Sequence, residues 1–428
     1  MLHDTPLRER HARCAAEEAA RSPLVPSAER PGAATGHRRA AEIEYLPYAA
    51  PSAGDQVGGE RTLLCELVAA FGPVEPEYAA IRRGAALFDA SFTGTIEVRG
   101  KDRREFLQRM VTQDIKSLAA GFAARSFWLN RKGRIEADLT IIELGERMLI
   151  ALDAGCAAST VATLNPFVFS ELVTLRDATD EWHWLELHGP GAGRALALAG
   201  AATIPARGEV SESSLSVPGA PTAERVPVVL VRDDALGETG WRIGVAFIRA
   251  VDAWDAIMAA IDPHDAKQRV RPIGWQAYNI ARIEAGTPRF LVDFGTSNLP
   301  HETGILAERV SFKKGCYLGQ EVVARMESLG KPKQKLVGVR PAKDLLPVAE
   351  AQIFERAAEG AMGQQIGLVT SSTLAPMLGA VPVAFAMIKT AFAASGTTVL
   401  VNAEGEQCEA TVGPLRSWPH EVPLGGEV

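Results

Sequence analysis

The chain has 428 residues, more than the roughly 100 to 200 typical of one domain, so two or three packed units are expected. Apolar residues make up 47% and charged residues 23%, a composition that builds a real core and excludes a collagen-like or wholly disordered chain. With 45 Lys+Arg against 52 Asp+Glu the net charge is -7, which argues against a general nucleic-acid or anionic-membrane surface.

Five cysteines, Cys14, Cys65, Cys156, Cys316 and Cys408, are odd in number and include no C-x-x-C pair and no histidine partner at zinc-finger spacing. Free thiols in a reducing compartment, and no metal site, are the expectation. No apolar stretch reaches the roughly 20 residues of a bilayer span, and the N-terminus lacks the apolar run of a secretory signal. A cytoplasmic protein is expected.

Residues 1–42 are rich in Ala, Arg, Glu and Pro without a sustained apolar period, which predicts a disordered arm. From about residue 77 the texture is mixed α/β. Thr95 to Arg99 alternates like a strand, and Asp102 stands as an N-cap before Phe106, Leu107, Met110 and Val111 at helical spacing. Arg125 to Asn130 and Arg134 to Glu143 flank Arg131-Lys132-Gly133 and predict a hairpin. A helix around Ala157 to Leu164, a strand at Trp184 to Leu187 and a helix from Ala192 follow. Pro205 to Arg225 is expected to be a loop or short insertion before a second hairpin, Val226 to Arg232 with Trp241 to Ala246. Helices are predicted near Val251 to Ile261 and Gly274 to Ala285. After Lys335 the chain turns to short Val-, Ala- and Gly-rich strands, which predicts a separate β-barrel or sandwich over 336–428, with Pro332 near the boundary and 43–335 as the preceding region.

The sharpest feature is the run Ser311-Phe312-Lys313-Lys314-Gly315-Cys316-Tyr317-Leu318-Gly319-Gln320-Glu321-Val322-Val323-Ala324-Arg325. Cys316 sits in a two-glycine loop behind two lysines and ahead of a helix expected to run from Gln320 until Gly330 stops it. Lysines and a helix N-terminus both favour an anion, so this thiol is expected to be activated. The other four cysteines read as small buried apolar residues. Residues 309–340 carry eight Lys/Arg against Glu321 and Glu327, a basic concentration that suits a thiolate, a carboxylate tail or an acidic partner, or is simply a solvated face.

This run resembles the K-G-C-[FY]-x-G-Q-E signature of the YgfZ branch of the aminomethyltransferase (GcvT) superfamily. The resemblance extends to Leu87-Phe88-Asp89-Ala90-Ser91, Thr112-Gln113-Asp114 and Leu129-Asn130 upstream. It continues through Gly237-Glu238-Thr239-Gly240-Trp241, Arg282-Ile283-Glu284-Ala285-Gly286 and Gly367-Leu368-Val369-Thr370-Ser371 with Pro376 and Leu378-Gly379, so that roughly residues 77 to 415 are covered. It implies an α+β protein: a ring of three domains, two α+β units and a C-terminal β-barrel, around a folate-sized channel. Tetrahydrofolate or a one-carbon derivative is the implied cofactor. Glu238 matches the family's pterin-binding glutamate, and Asn130 and Arg325 join it as cofactor-binding candidates. Trp128 and Trp241 suit either stacking on flat rings or simple core. Cys316, with Lys314 and Gln320 beside it, is the implied reactive centre.

Three departures from the glycine-cleavage T-proteins bear on the reaction. Their Asp-Asp pair, whose first acid assists one-carbon transfer, reads Ala137-Asp138 here; Phe92 replaces their His, and Tyr278-Asn279 their Arg-Asp. With the Cys316 motif, these losses favour a tetrahydrofolate-binding accessory factor for iron-sulfur enzymes, including tRNA-modifying ones, acting as a monomer with iron-sulfur client enzymes as partners. The alternative is a folate-dependent aminomethyl- or methyltransferase, with Asp138 or Glu136 in place of the missing acid.

Overall fold

The computed structural model describes residues 5–21, 43–51, 61–220, 224–261 and 269–416. Part of the expected disordered arm is a helix, α1 (Arg8–Arg21), which corrects the sequence reading for this stretch. Leu7, His11, Cys14 and Ala15 recur at helical spacing and are buried, with the His11 ring 5.5 Å from both Phe71 and Trp254. Arg10 pairs with Asp255 at 2.8 Å, and Glu18 takes Arg269 at 3.0 Å together with Arg271. The apolar period is carried by a histidine, a cysteine and an alanine, so composition alone conceals it. Residues 1–4 and 22–42 lie outside the described residues.

An antiparallel ribbon, β1 (Tyr45–Pro51) with β2 (Arg61–Val68), leads into the first α+β unit. Then follow α2 (Val74–Arg83), β3 (Ala85–Asp89), β4 (Thr93–Arg99), α3 (Arg103–Met110), β5 (Phe122–Leu129), β6 (Ile135–Glu143), β7 (Arg147–Asp153), α4 (Ala154–Leu164) and β8 (Thr174–Asp177). Five of these strands make an antiparallel sheet in the order β5-β6-β7-β4-β8. The second unit contains β9 (Trp182–His188), α5 (Ala192–Leu198), β10 (Val210–Ser216), β11 (Arg225–Arg232), β12 (Gly240–Ala246), α6 (Ala250–Met258), β13 (Val270–Ile273) and α7 (Trp275–Ala285). Its sheet runs β10-β11-β12-β9-β3-β13, with β13 parallel to β3. Two sequence expectations are corrected here. The Pro205 to Arg225 stretch holds β10, and Asp102, although it occupies the N-cap position of α3, makes no side-chain capping bond: its carboxylate accepts the Leu172 amide at 2.8 Å instead.

After α8 (Leu306–Arg309) and α9 (Gln320–Leu329), the strands β14 (Gln334–Pro341), β15 (Gln352–Arg356), β16 (Met362–Ala375), β17 (Val381–Lys389), β18 (Thr398–Ala403) and β19 (Glu406–Gly413) close a six-stranded barrel. The barrel docks on α7 through Ile283, Leu336, Ala375, Val383 and Phe385. Inside that contact Arg282 pairs with Asp293 at 2.7 Å, Arg282 donates to Ser371 Oγ at 2.7 Å, and Thr370 donates to Asp293 at 3.0 Å. No helix among the described residues is long and apolar enough to cross a membrane.

Strand alternation decides where the two sheets meet. In β6 the residues Ile135, Ala137, Leu139 and Ile141 face the core beneath α3 and α4; in β9 and β12, Leu185, Leu187, Trp241, Ile243 and Val245 face the core beneath α5 and α6. The opposite faces look at each other. One part of that interface is apolar, with Phe88, Phe92, Ile142, Leu149, Trp184, Val229 and Val231. The alternate positions that continue these strands, Asp138, Glu186, His188 and Arg242, are polar.

Glu77 anchors the start of α7 from a distance. Its two oxygens accept the amides of Phe71 at 2.6 Å, Gly72 at 3.0 Å and Gly274 at 2.8 Å. Burial outweighs these donors and pushes its carboxyl up to about 7, from an ordinary 4.5. Between those values the folded chain holds a proton that the unfolded chain has released, so stability is expected to fall as pH rises from 4.5 towards 7. Urea midpoints across that window check this, and Glu77→Gln should flatten the slope; an unchanged slope in the variant would remove Glu77 as its source.

Candidate functional site

The polar band between the sheets is one connected network. Glu186 accepts from His188 Nε2 and from the Tyr278 hydroxyl, both at 3.0 Å, and lies 3.5 Å from Arg242 Nε. Arg242 pairs with Asp233 at 2.7 Å, and Asp233 also takes Arg125. Asp138, on β6, holds Arg309 through Nε at 2.8 Å and Nη2 at 3.4 Å. Burial works against the Asp233 carboxylate, but Arg125 and Arg242 overcome it and hold the carboxyl well below its usual range. Burial likewise drives the Tyr278 hydroxyl up, beside Glu186. Gly240 is required here: its Cβ would collide with His188 Nδ1 and the Asp233 carbonyl.

Arg289 joins the network over the Phe92 ring, 3.7 Å from its centroid, and donates to the Tyr278 hydroxyl at 3.4 Å. Two of the positions that depart from the T-protein pattern, Phe92 and Tyr278, thus flank one guanidinium. Arg289 places a cation beside the Tyr278 hydroxyl. Glu186 Oε1, His188 Nδ1 and Arg289 Nε are buried and have no hydrogen bond. Such a set of acceptors and donors fits a flat heterocycle that presents both, as a pterin does.

The thiol loop is built on the first unit. Lys314 is buried, and its ammonium donates to the carbonyls of Gln108 at 2.7 Å, Val111 at 2.6 Å and Gln113 at 2.8 Å, at and just beyond the end of α3. Burial pushes its pKa down to about 8. Ser311 N donates to the Thr112 carbonyl at 3.0 Å, and Tyr317 and Val323 enter the core of that unit. Gly319, at φ +80°, packs where a Cβ would stand 2.6 Å from the Asn130 carbonyl. With these anchors in place, Cys316 is exposed while the other four cysteines are buried, and all five are free.

Several sequence-derived candidates are placed differently from expectation. Trp128 is core, donating to Thr163 Oγ1 at 3.1 Å, and Trp241 is core, donating to the Pro205 carbonyl at 3.0 Å; neither presents a ring for stacking. Asn130 spends its side chain on its own turn, accepting from Lys132 N at 2.9 Å and Arg134 N at 3.1 Å and donating to Glu136 at 2.6 Å. Lys314 is a structural clip, not a free charge beside the sulfur. Glu238 lies 3.6 Å from Arg82, which pairs with Glu284 at 2.7 Å. Gln320 opens α9, and Arg325 is exposed on it. Of the eight basic residues between 309 and 340, Arg309 and Lys314 are buried and engaged; the other six are exposed.

The side chain of Ala137 points into the helix-covered core, whereas Asp138, one of the two acids named in place of the missing one, points to the inter-sheet face, so that face carries a carboxylate. Sequence reasoning also passed over Glu186, His188, Asp233, Arg242 and Arg289. The signal was available in Trp184-Leu185-Glu186-Leu187-His188, where polar groups alternate with leucines on a buried strand.

Residues 53–314 match the GCVT N-terminal domain family, and residues 334–416 match the glycine cleavage T-protein C-terminal barrel domain. The chain belongs to the GcvT superfamily. Curated relatives include an aminomethyltransferase from Geobacillus kaustophilus (strain HTA426), 29% identical over 352 residues that cover 82% of this chain and 92% of that protein. Another, from Bacillus subtilis (strain 168), is 28% identical over 351 residues, covering 81% and 91%. The glycine cleavage system aminomethyltransferase T from Bartonella henselae superposes with a TM-score of 0.74 at 23% identity, over 97% of this chain and 98% of that one, and shares the fold. Aminomethyltransferases of this superfamily bind tetrahydrofolate and use it as substrate or cofactor.

Proposed function

We propose that the protein binds tetrahydrofolate between its two sheets and serves as a YgfZ-type accessory factor for iron-sulfur enzymes, tRNA-modifying ones included, through Cys316. The observation that carries the reading is the thiol loop. A buried lysine with three carbonyl acceptors, two core side chains and a glycine packed on a neighbouring turn hold a loop whose one exposed cysteine lies within the KGCYLGQE sequence. Asp138, Glu186, Arg242 and Arg289 are the groups that would hold the pterin, and Glu238 remains a candidate from the family match. When bound, tetrahydrofolate supplies a one-carbon acceptor or donor; the chain's own residues orient it and exclude water.

A second reading, a folate-dependent aminomethyltransferase, is supported by the names of the curated relatives and by Asp138 on the inter-sheet face. Two measurements separate the readings. Purified protein with tetrahydrofolate and an aminomethyl donor is expected to bind folate with about one ligand per chain and to show no turnover. In a deletion strain with lowered iron-sulfur enzyme activity, the wild-type copy should restore that activity and Cys316→Ala should not. Sustained turnover together with full rescue by Cys316→Ala would establish the transferase instead.

A further inference from the structure

Building on that reading, we propose that Arg309 is a positioning residue that couples occupancy of the inter-sheet site to the reactivity of Cys316. The two ends of this residue belong to different places. Its guanidinium fills both oxygens of Asp138 on the inter-sheet face, with Glu308 as a second, exposed partner at 3.0 Å. Its carbonyl accepts the Thr112 hydroxyl at 2.6 Å. Thr112 in turn accepts the Ser311 amide, and the carbonyls on either side of it, Val111 and Gln113, are two of the three that hold Lys314, two residues before Cys316. One short segment, 111–113, therefore carries both the Arg309 backbone and the clip of the thiol loop.

The coupling needs two alternatives that exclude one another, and Asp138 provides them. Its oxygens are satisfied by Arg309 in the structure; a ligand that presents adjacent N–H donors to the same carboxylate competes for those lone pairs. Glu308, already its second partner at 3.0 Å, keeps a carboxylate within reach of a displaced Arg309. Displacement pulls on Thr112, shifts the acceptors of Lys314 and loosens the loop. By linkage, the factor by which ligand shifts the loop from its clipped to its loosened state equals the ratio of ligand affinities of those two states.

The experiment measures peptide-resolved alkylation of Cys316 in the full chain with and without saturating tetrahydrofolate, after calorimetry has fixed the affinity of each protein. In the wild type the rate should rise about fivefold or more on ligand binding. In Arg309→Gln the rate should already be high without ligand and change little with it, and Arg309→Lys, which retains a cation, should recover part of the response. Asp138→Asn, which weakens the same pair from the other side, should also raise the ligand-free rate and guards against a folding defect in the Arg309 variants. Failure of wild type to bind tetrahydrofolate would overturn the folate reading and this coupling together. Binding without a change in rate, or a ligand response kept in full by Arg309→Gln, would overturn the coupling alone. A slowed rate in all proteins would mean that the ligand simply covers the sulfur, which also overturns it.

Discussion

Replacing Asp293 with Ala is expected to destabilise the protein by about 3 to 5 kcal/mol, because it leaves a buried guanidinium without its counter-charge. Arg282 and Asp293 have side-chain exposures of 1% and 0%, so water cannot step in. The same carboxylate accepts hydroxyls from Thr370 and Ser371 of β16 and the Arg289 amide at 2.8 Å. It therefore joins three things at once: the end of α7, the segment leading to the thiol loop, and the barrel. Chemical denaturation of the variant should show a lower midpoint and, since the barrel loses its polar tie, a less cooperative transition. The double variant Arg282→Met, Asp293→Leu removes both charges and should cost clearly less than the single one. A loss below about 1 kcal/mol for Asp293→Ala would mean that the apolar contact of Ile283, Leu336, Ala375, Val383 and Phe385 holds the barrel by itself.

Cys316 is expected to be alkylated at least about a hundredfold faster than any other thiol of the folded chain. Exposure is half of the reason. The other half is that burial pushes the Cys14 thiol up to about 11 and the Cys65 thiol up to about 12, and raises Cys156 and Cys408 as well. At pH 7.5 the thiolate fractions of Cys14 and Cys65 are then below about one in a thousand. Iodoacetamide labelling followed by peptide mass spectrometry should give one modified site under native conditions and five after unfolding. If Cys316 and Cys65 react at similar rates in the folded chain, the loop does not present its sulfur, and the KGCYLGQE sequence serves folding only.

Much of the fold could be read from residue order. The hairpin around Gly133, α7, the stop of α9 at Gly330 and the barrel after Lys335 each carry a local signal: a left-handed glycine at 133, an apolar helical period, a helix-breaking glycine at 330, and dense strand and turn residues. What escaped lacks a local signal. Helix α1 exposes its logic only through Phe71, Trp254 and Asp89, which are distant in sequence. β10, with Ser211, Ser213, Ser214 and Ser216, reads as a loop until its pairing with β11 is known. Trp128 and Trp241 are ring-bearing residues beside motifs, and only three-dimensional packing shows that their rings are enclosed. The charged band was hidden for the same reason: Arg125, Glu186, Asp233 and Arg289 are isolated letters that become one network when two sheets face each other.

The alternation along β6 decides what a charge would cost at each of its positions. Adjacent letters on a strand belong to different surroundings: position 137 answers to the core under α3 and α4, position 138 to the polar face between the sheets. An acid at 137 in this chain would be a desolvated charge next to Ile135 and Leu139. Restoring the family's doublet by Ala137→Asp would therefore lower yield and melting temperature without adding a proton acceptor to the site.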